Sequence, residues 1–205
     1  MSLTPEHIDA LKELLNIGVG RAMGALNQML EAPIRLYVPT VKIGKISEIQ
    51  HELGGFGDER LSLIQLPFKA SFEGVAALMF PTESAAKLVS ICTGKGSDAS
   101  TLNTMKIATL TEIGNIVLNG IMGSMSQILE QRMTYSVPKY DENSIRGFLN
   151  GSQWDPSLFL LWAETHFTIE EFAVTGHIFL LLGFGSLETL GEALGTLFPS
   201  VVEKP

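Results

Sequence analysis

Two polar pairs of the same type and spacing stand out in this chain: Glu13 with Asn16, and Glu112 with Asn115. Residues at i and i+3 of a helix lie side by side on one face. A carboxamide both donates and accepts hydrogen bonds, so it can hold a water in line with a phosphorus atom without acting as a base. A carboxylate beside it can grip a lysine on the molecule that carries the phosphate. The pair therefore suits phosphoryl hydrolysis by positioning. A lone Glu-x-x-Asn is usually only a solvated polar face. Here each pair also has a proline 23 residues beyond its Asn, Pro39 and Pro138. That joint recurrence argues against accident.

The two pairs belong to an internal repeat with a 99-residue offset. Residues 13–39 align without a gap to residues 112–138 and are identical at 10 of 27 positions. Such self-similarity means that a structural unit has been built twice. At 205 residues the chain has the length of one pseudo-symmetric domain spanning 1–205, with repeats at about 6–95 and 103–200.

The elements that must carry the pairs are two long helices. Thr4-Pro5-Glu6 is a helix start, with a hydroxyl cap, proline at the first helical position and an acid at the positive dipole end. The helix is predicted over 6–31. At about 100° per residue, Leu11, Leu15, Ala22, Leu26 and Met29 share one face, and Asp9, Glu13, Asn16 and Gly20 fall within roughly 60° on the other. Asp9 and Gly20 are therefore candidate partner-binding positions. Gly18, Gly20 and Gly24 each cost a helix interior about 1 kcal/mol, so close approach of a helix or partner is expected to compensate. The second helix is predicted from a cap at Asn103 to about Gln131. Leu110, Val117, Ile121, Met125 and Ile128 form its apolar face, and Ala108, Glu112, Asn115 and Asn119 its polar stripe. Asn119 is a third candidate for partner contact.

Strand signals follow each helix, at 34–46, 61–68 and 73–80 in the first half and 133–137, 157–167 and 171–182 in the second. Helices are predicted at 83–93 and 187–197, and loops at 54–57 and 150–156. The reading is α+β: a two-layer sandwich in which a helix–three-strand–helix unit occurs twice, with 61–68 and 73–80 as an antiparallel hairpin.

Other chemistry is poorly supported. A net charge of −8 and a pI near 5.0 leave no basic stripe for nucleic acid. The single Cys92 excludes an internal disulfide and reads as a buried thiol. Mean hydropathy is +0.25, yet the most apolar stretch, 172–187, is shorter than the roughly 18–20 residues a membrane span needs and reads as a buried strand and turn. No signal-peptide pattern opens the chain, so a cytoplasmic location is expected. His7, His51, His166 and His177 lack metal-site spacing; His7 is expected in solvent, and the two strand histidines satisfied by neighbours. Gly18-x-Gly20-x-x-x-Gly24 lies inside a helix rather than after a strand, which discounts dinucleotide binding. Met23, Met29, Met122 and Met125 read as interhelical core.

The polar spacing resembles that of the CheC/CheX/FliY phosphatases of bacterial and archaeal chemotaxis, whose pattern is [Asp/Ser]-x3-Glu-x2-Asn-x22-Pro. Asp9, Glu13, Asn16 and Pro39 fill every position. Glu112, Asn115 and Pro138 fill it again, with Ala108 in place of Asp or Ser. Two faces in one chain are the layout of the CheC branch. The resemblance implies a CheC-like fold and hydrolysis of the aspartyl-phosphate of a CheY-type response regulator. Asn16 and Asn115 would orient the attacking water, and Glu13 and Glu112 would pair with a lysine of the regulator. It implies no cofactor of the chain's own, since Mg2+ belongs to the partner's receiver domain. It allows CheD as a further partner. The alternative it carries is a non-catalytic adaptor that binds a receiver domain, CheD or a flagellar switch component.

Overall fold

A computed structural model of the chain describes residues 3–30, 33–46, 48, 59–93, 99–150, 158–169 and 172–197. Helix α1 (Pro5–Leu30) starts where the cap predicts. Thr4 Oγ1 accepts the His7 backbone N–H at 3.4 Å, and the Thr4 N–H donates to His7 Nδ1 at 3.2 Å. His7 thus takes the place usually held by Glu in a capping box. This corrects the expectation of a solvated His7, which is buried.

The predicted strand 34–46 is two strands, β1 (Ile34–Tyr37) and β2 (Val41–Lys45). The break falls at Val38-Pro39, where proline has no N–H to give a ladder. Next come β3 (Leu61–Lys69) and β4 (Glu73–Pro81), the expected antiparallel hairpin, and α2 (Thr82–Thr93). The second half opens with α3 (Ala99–Ile128), which begins four residues before Asn103. Its end turns at Glu130, where φ is 52° and the Gln131 N–H closes on the Ser126 carbonyl at 3.0 Å, a Schellman closure. Then follow β5 (Thr134–Tyr135), β6 (Lys139–Asn143), the short α4 (Ile145–Asn150), β7 (Phe159–Ile169), β8 (Phe172–Leu182) and α5 (Phe184–Leu197). Neither β6 nor α4 has a strong sequence signal. Each half thus has four described strands rather than three between its long helix and its last helix, with α4 interposed in the second half. The loop prediction at 54–57, that at 150–156 apart from Asn150, which ends α4, and His51 lie outside the described residues.

All strand pairs are antiparallel in one sheet ordered β1-β7-β8-β4-β3-β5, with β2 also on β7 and β6 also on β3. The halves exchange their edges. β1 and β2 of the first half complete the hairpin β7–β8 of the second, and β5 and β6 complete β3–β4. Of the stretch read as the most apolar, 172–187, Phe172–Leu182 is the central strand β8 and the remainder from Phe184 opens α5 rather than a turn alone. Among the described residues no helix is long and apolar enough to cross a membrane.

The main core lies between one sheet face and the long helices. Leu11, Leu15, Val19 and Leu26 of α1 and Leu110, Val117, Ile121 and Met125 of α3 meet Ile64, Leu78, Phe80, Phe167 and Ile178. Leu88 and Val89 of α2 and Leu187, Leu190 and Leu194 of α5 close the same layer. A second cluster occupies the opposite face, where Leu63, Met79, Leu160 and Phe179 are capped by Ile145, Phe148 and Leu149. Between these two clusters Leu61 through Ile64 are buried on both faces of the sheet, so β3 does not alternate apolar with polar there. Cys92 is half-buried, and burial pushes its thiol up to about 11, as befits an inert side chain. Met122 and Met125 are core, whereas Met29 is exposed.

Helices α1 and α3 touch through glycine. A Cβ on Gly18 would lie 2.5 Å from Ile121 Cα, and one on Gly120 would lie 2.8 Å from the Gly18 carbonyl oxygen. Gly20 and Gly24 have nothing within 4 Å. Gly18→Val must therefore part the helices, at a cost of about 2–4 kcal/mol and a Tm lower by roughly 5–12 °C. Gly24→Ala should leave the melt unchanged or raise it slightly. Thermal unfolding of the two variants checks the distinction.

Candidate active faces on the two long helices

Both polar stripes stand where the helical period puts them. Asp9, Glu13 and Gly20 are exposed along α1, as are Ala108, Glu112 and Asn119 along α3, while Asn16 and Asn115 are half-buried. Each stripe backs onto the buried row that faces the other helix and the sheet. The two faces nevertheless differ at the asparagine.

On α1, Asn16 is a latch. Its Oδ1 accepts the Val38 N–H at 2.9 Å, and its Nδ2 donates to the Val38 carbonyl at 3.2 Å and to the Lys12 carbonyl at 3.0 Å. Both amide hydrogens are committed, so only the second lone pair of Oδ1 remains for a ligand. The latch accounts for the Asn-to-Pro spacing on this face. It holds the residue before Pro39 at the corner where the sheet ladder breaks, and Val38 is 1% exposed. Asn27 reinforces it by accepting the Ile34 N–H at 2.7 Å.

On α3, Asn115 makes no such bond. Val137, the counterpart of Val38, is 80% exposed, and the corner is held instead by the Ser136 N–H on the Pro67 carbonyl at 2.9 Å. Asn115 Oδ1 accepts from Asn119 Nδ2 at 2.6 Å. Among the described residues, its own amide hydrogens have no protein partner. The face thus offers two donors and a lone pair to a ligand. Upstream, Lys106 Nζ meets Glu142 Oε1 at 2.8 Å and Tyr140 Oη donates to the same atom at 2.7 Å, tying the start of α3 to β6. These bonds, that to Lys106 first, hold the Glu142 carboxyl below its ordinary range.

Neither the Val38 latch nor the Asn115–Asn119 bond was legible in the repeat alone. The one available signal was that Pro39 follows a residue whose N–H has to find a partner. The strand histidines are satisfied by neighbours, as expected. His177 Nδ1 accepts from Trp162 Nε1 at 3.3 Å, burial lowers its pKa to about 4, and His166 Nε2 lies 2.7 Å from Glu164. Among the described residues, no group of three potential ligands can hold a metal.

Six large hydrophobic side chains are exposed among the described residues. They are Ile17, Met29 and Tyr37 on α1 and its corner, and Ile107, Tyr135 and Val137 on α3 and its corner.

The CheC-like family profile matches residues 6–43, which span α1, the latched Val38 and β1. Along 198 residues the chain is 24% identical to the CheY-P phosphatase CheC of Bacillus subtilis, covering 93% of this chain and 94% of that protein. Among solved structures, FliY of Thermotoga maritima superposes with a TM-score of 0.75 at 20% identity, over 96% of this chain and all of that one. CheX of Borrelia burgdorferi, from its complex with CheY, BeF3 and Mg2+, does so with a TM-score of 0.51 at 17% identity, over 80% of this chain and 94% of that one. Local sequence, full-length alignment and the α+β fold thus agree in their likeness to CheC-like proteins.

Proposed function

We propose that this protein hydrolyses the aspartyl-phosphate of a CheY-type receiver domain, in the cytoplasm, with Asn115 as the principal water-orienting group. The observation that carries the reading is the Glu112–Asn115 pair, in which Glu112 is exposed and the half-buried Asn115 keeps both amide hydrogens unclaimed among the described residues. Its relatives support it: one is named a CheY-P phosphatase, and another was solved with CheY. Water attacks phosphorus while the bond from phosphorus to the aspartyl oxygen breaks. The products are inorganic phosphate and the free carboxylate of the receiver. Mg2+ sits in the receiver and stabilises the charge on the phosphoryl oxygens; this chain contributes orientation alone.

Glu112 and Glu13 are assigned to the receiver's lysine, and the exposed Ile17, Tyr37, Ile107 and Val137 to the apolar part of the interface. The α1 face works more slowly, because Asn16 must release Val38 before its amide can donate to a water. The rival reading, an adaptor that binds without hydrolysis, draws on the latched Asn16. Single-turnover loss of labelled phosphate from a phosphorylated receiver decides between them. Binding with no acceleration over the receiver's own decay would select the adaptor.

The two glutamates are exposed, so their contribution to binding should be screened by salt. Glu112→Ala is expected to raise KM about three- to tenfold at low ionic strength, with the difference shrinking several-fold at about 0.5 M salt. Steady-state kinetics at two salt concentrations measures it. A salt-independent loss would remove Glu112 from the lysine-gripping role.

A further inference from the structure

We infer that Asn119 is a positioning residue that sets which way the Asn115 carboxamide faces. The inference rests on the hydrolase reading above. Asn119 lies one helical turn beyond Asn115 on the exposed stripe, and its Nδ2 donates to Asn115 Oδ1 at 2.6 Å. A solvated carboxamide has two flip states of nearly equal energy, which exchange its donor and acceptor sides. With Asn119 Nδ2 against Oδ1, as in this structure, the Asn115 flip that turns its N–H groups outward is the favoured one. It leaves both N–H groups of Asn115 and one Oδ1 lone pair for the water, in a fixed arrangement. The same bond polarises the amide, which makes the outward N–H groups better donors.

The first face has no such device. The repeat places Gly20 where α3 has Asn119, and Asn16 is oriented instead by the Val38 backbone. Each asparagine is therefore pinned through its own partner, but only the Asn119 bond leaves the amide hydrogens available. This gives Asn119 a role in turnover rather than in partner contact, the role that stripe position alone suggests. A residue that merely touches the receiver would act on KM. One that orients the water-holding amide acts on kcat, because orientation counts in the transition state.

The test uses the full chain carrying Glu13→Ala, which weakens receiver binding at the α1 face, so that at receiver concentrations below the KM of that face turnover runs mainly on the α3 face. In that background Asn119→Ala is expected to lower kcat about three- to tenfold with KM unchanged. Asn119→Asp should lower it further. An ionised carboxylate only accepts, so it draws in the Asn115 N–H and reverses the amide. Thermal melts should match the parent, since Asn119 is exposed. Side-chain amide NMR should show a restrained Asn115 NH2 that rotates more freely in Asn119→Ala. An unchanged kcat, or a change confined to KM, would overturn the inference and leave the hydrolase reading standing. Complete loss of turnover in Glu13→Ala alone would also overturn it, because the α3 face would then be idle. No turnover by the unsubstituted chain would sink the hydrolase reading and this inference with it.

Discussion

Asn115→Ala is expected to slow dephosphorylation of the receiver roughly 10- to 100-fold while leaving the melting temperature within about 1 °C of the parent. The first expectation follows from the cost of a misplaced nucleophile, which reaches about 10²-fold when geometry alone supplies the catalysis. The second follows from the site, where among the described residues the Asn115 side chain bonds only to the exposed Asn119 side chain. Asn16→Ala should behave in the opposite way. It removes two hydrogen bonds from the Val38 backbone and strands a partly buried N–H and carbonyl, for about 2–3 kcal/mol. A Tm lower by roughly 5–10 °C is expected, with a smaller part of the turnover lost. Single-turnover kinetics and thermal melts on both variants separate the two roles. If Asn16→Ala matched Asn115→Ala in rate loss with an unchanged melt, the Val38 latch would be open in the complex and the faces equivalent.

Cutting the chain between Thr93 and Ala99 is expected to abolish the fold of both pieces, although each contains one complete repeat. In the piece ending at Thr93, β3 loses the β6 strand that pairs Leu61–Gln65, and β4 loses β8. In the other piece β7 loses both β1 and β2. Every one of these edges would expose backbone groups that have to be paired. The core would be halved as well, since Leu15 and Val19 of α1 pack in the same cluster as Val117 and Ile121 of α3. Each piece alone should lack a cooperative thermal transition by circular dichroism. Mixing or co-expression should restore it. A cooperative melt from either piece by itself would show that edge exchange is dispensable.

Much of the architecture could be read from local pattern. The period of Leu11, Leu15, Ala22 and Leu26 located α1 and its buried face, and the same period located the stripe bearing Glu13 and Asn16. The duplication of that stripe pointed to α3 without further help. The failures were equally specific. His7 is buried because it caps α1, a use that a lone histidine near a helix start does not announce. The break at Val38-Pro39 had its proline in view, but β-favouring residues on both sides masked it. β6 reads KYDEN, too polar to look like a strand, and it pairs because β3 offers an open edge.

Local sequence determined that two long helices each present a Glu and an Asn, because helical spacing is set by backbone geometry and needs no tertiary contact. It could not determine the state of either asparagine. That depends on where the chain 22 residues later is brought back. In the first half, Asn27 and the β1–β7 pairing return Val38 to Asn16, so the carboxamide is consumed by backbone. In the second half, the Glu130 turn and the Ser136 bond to Pro67 carry Val137 into solvent, and Asn115 keeps its hydrogens. Two nearly identical local motifs thus diverge through contacts made far along the chain, since a hydrogen bond forms with whichever group packing leaves within reach.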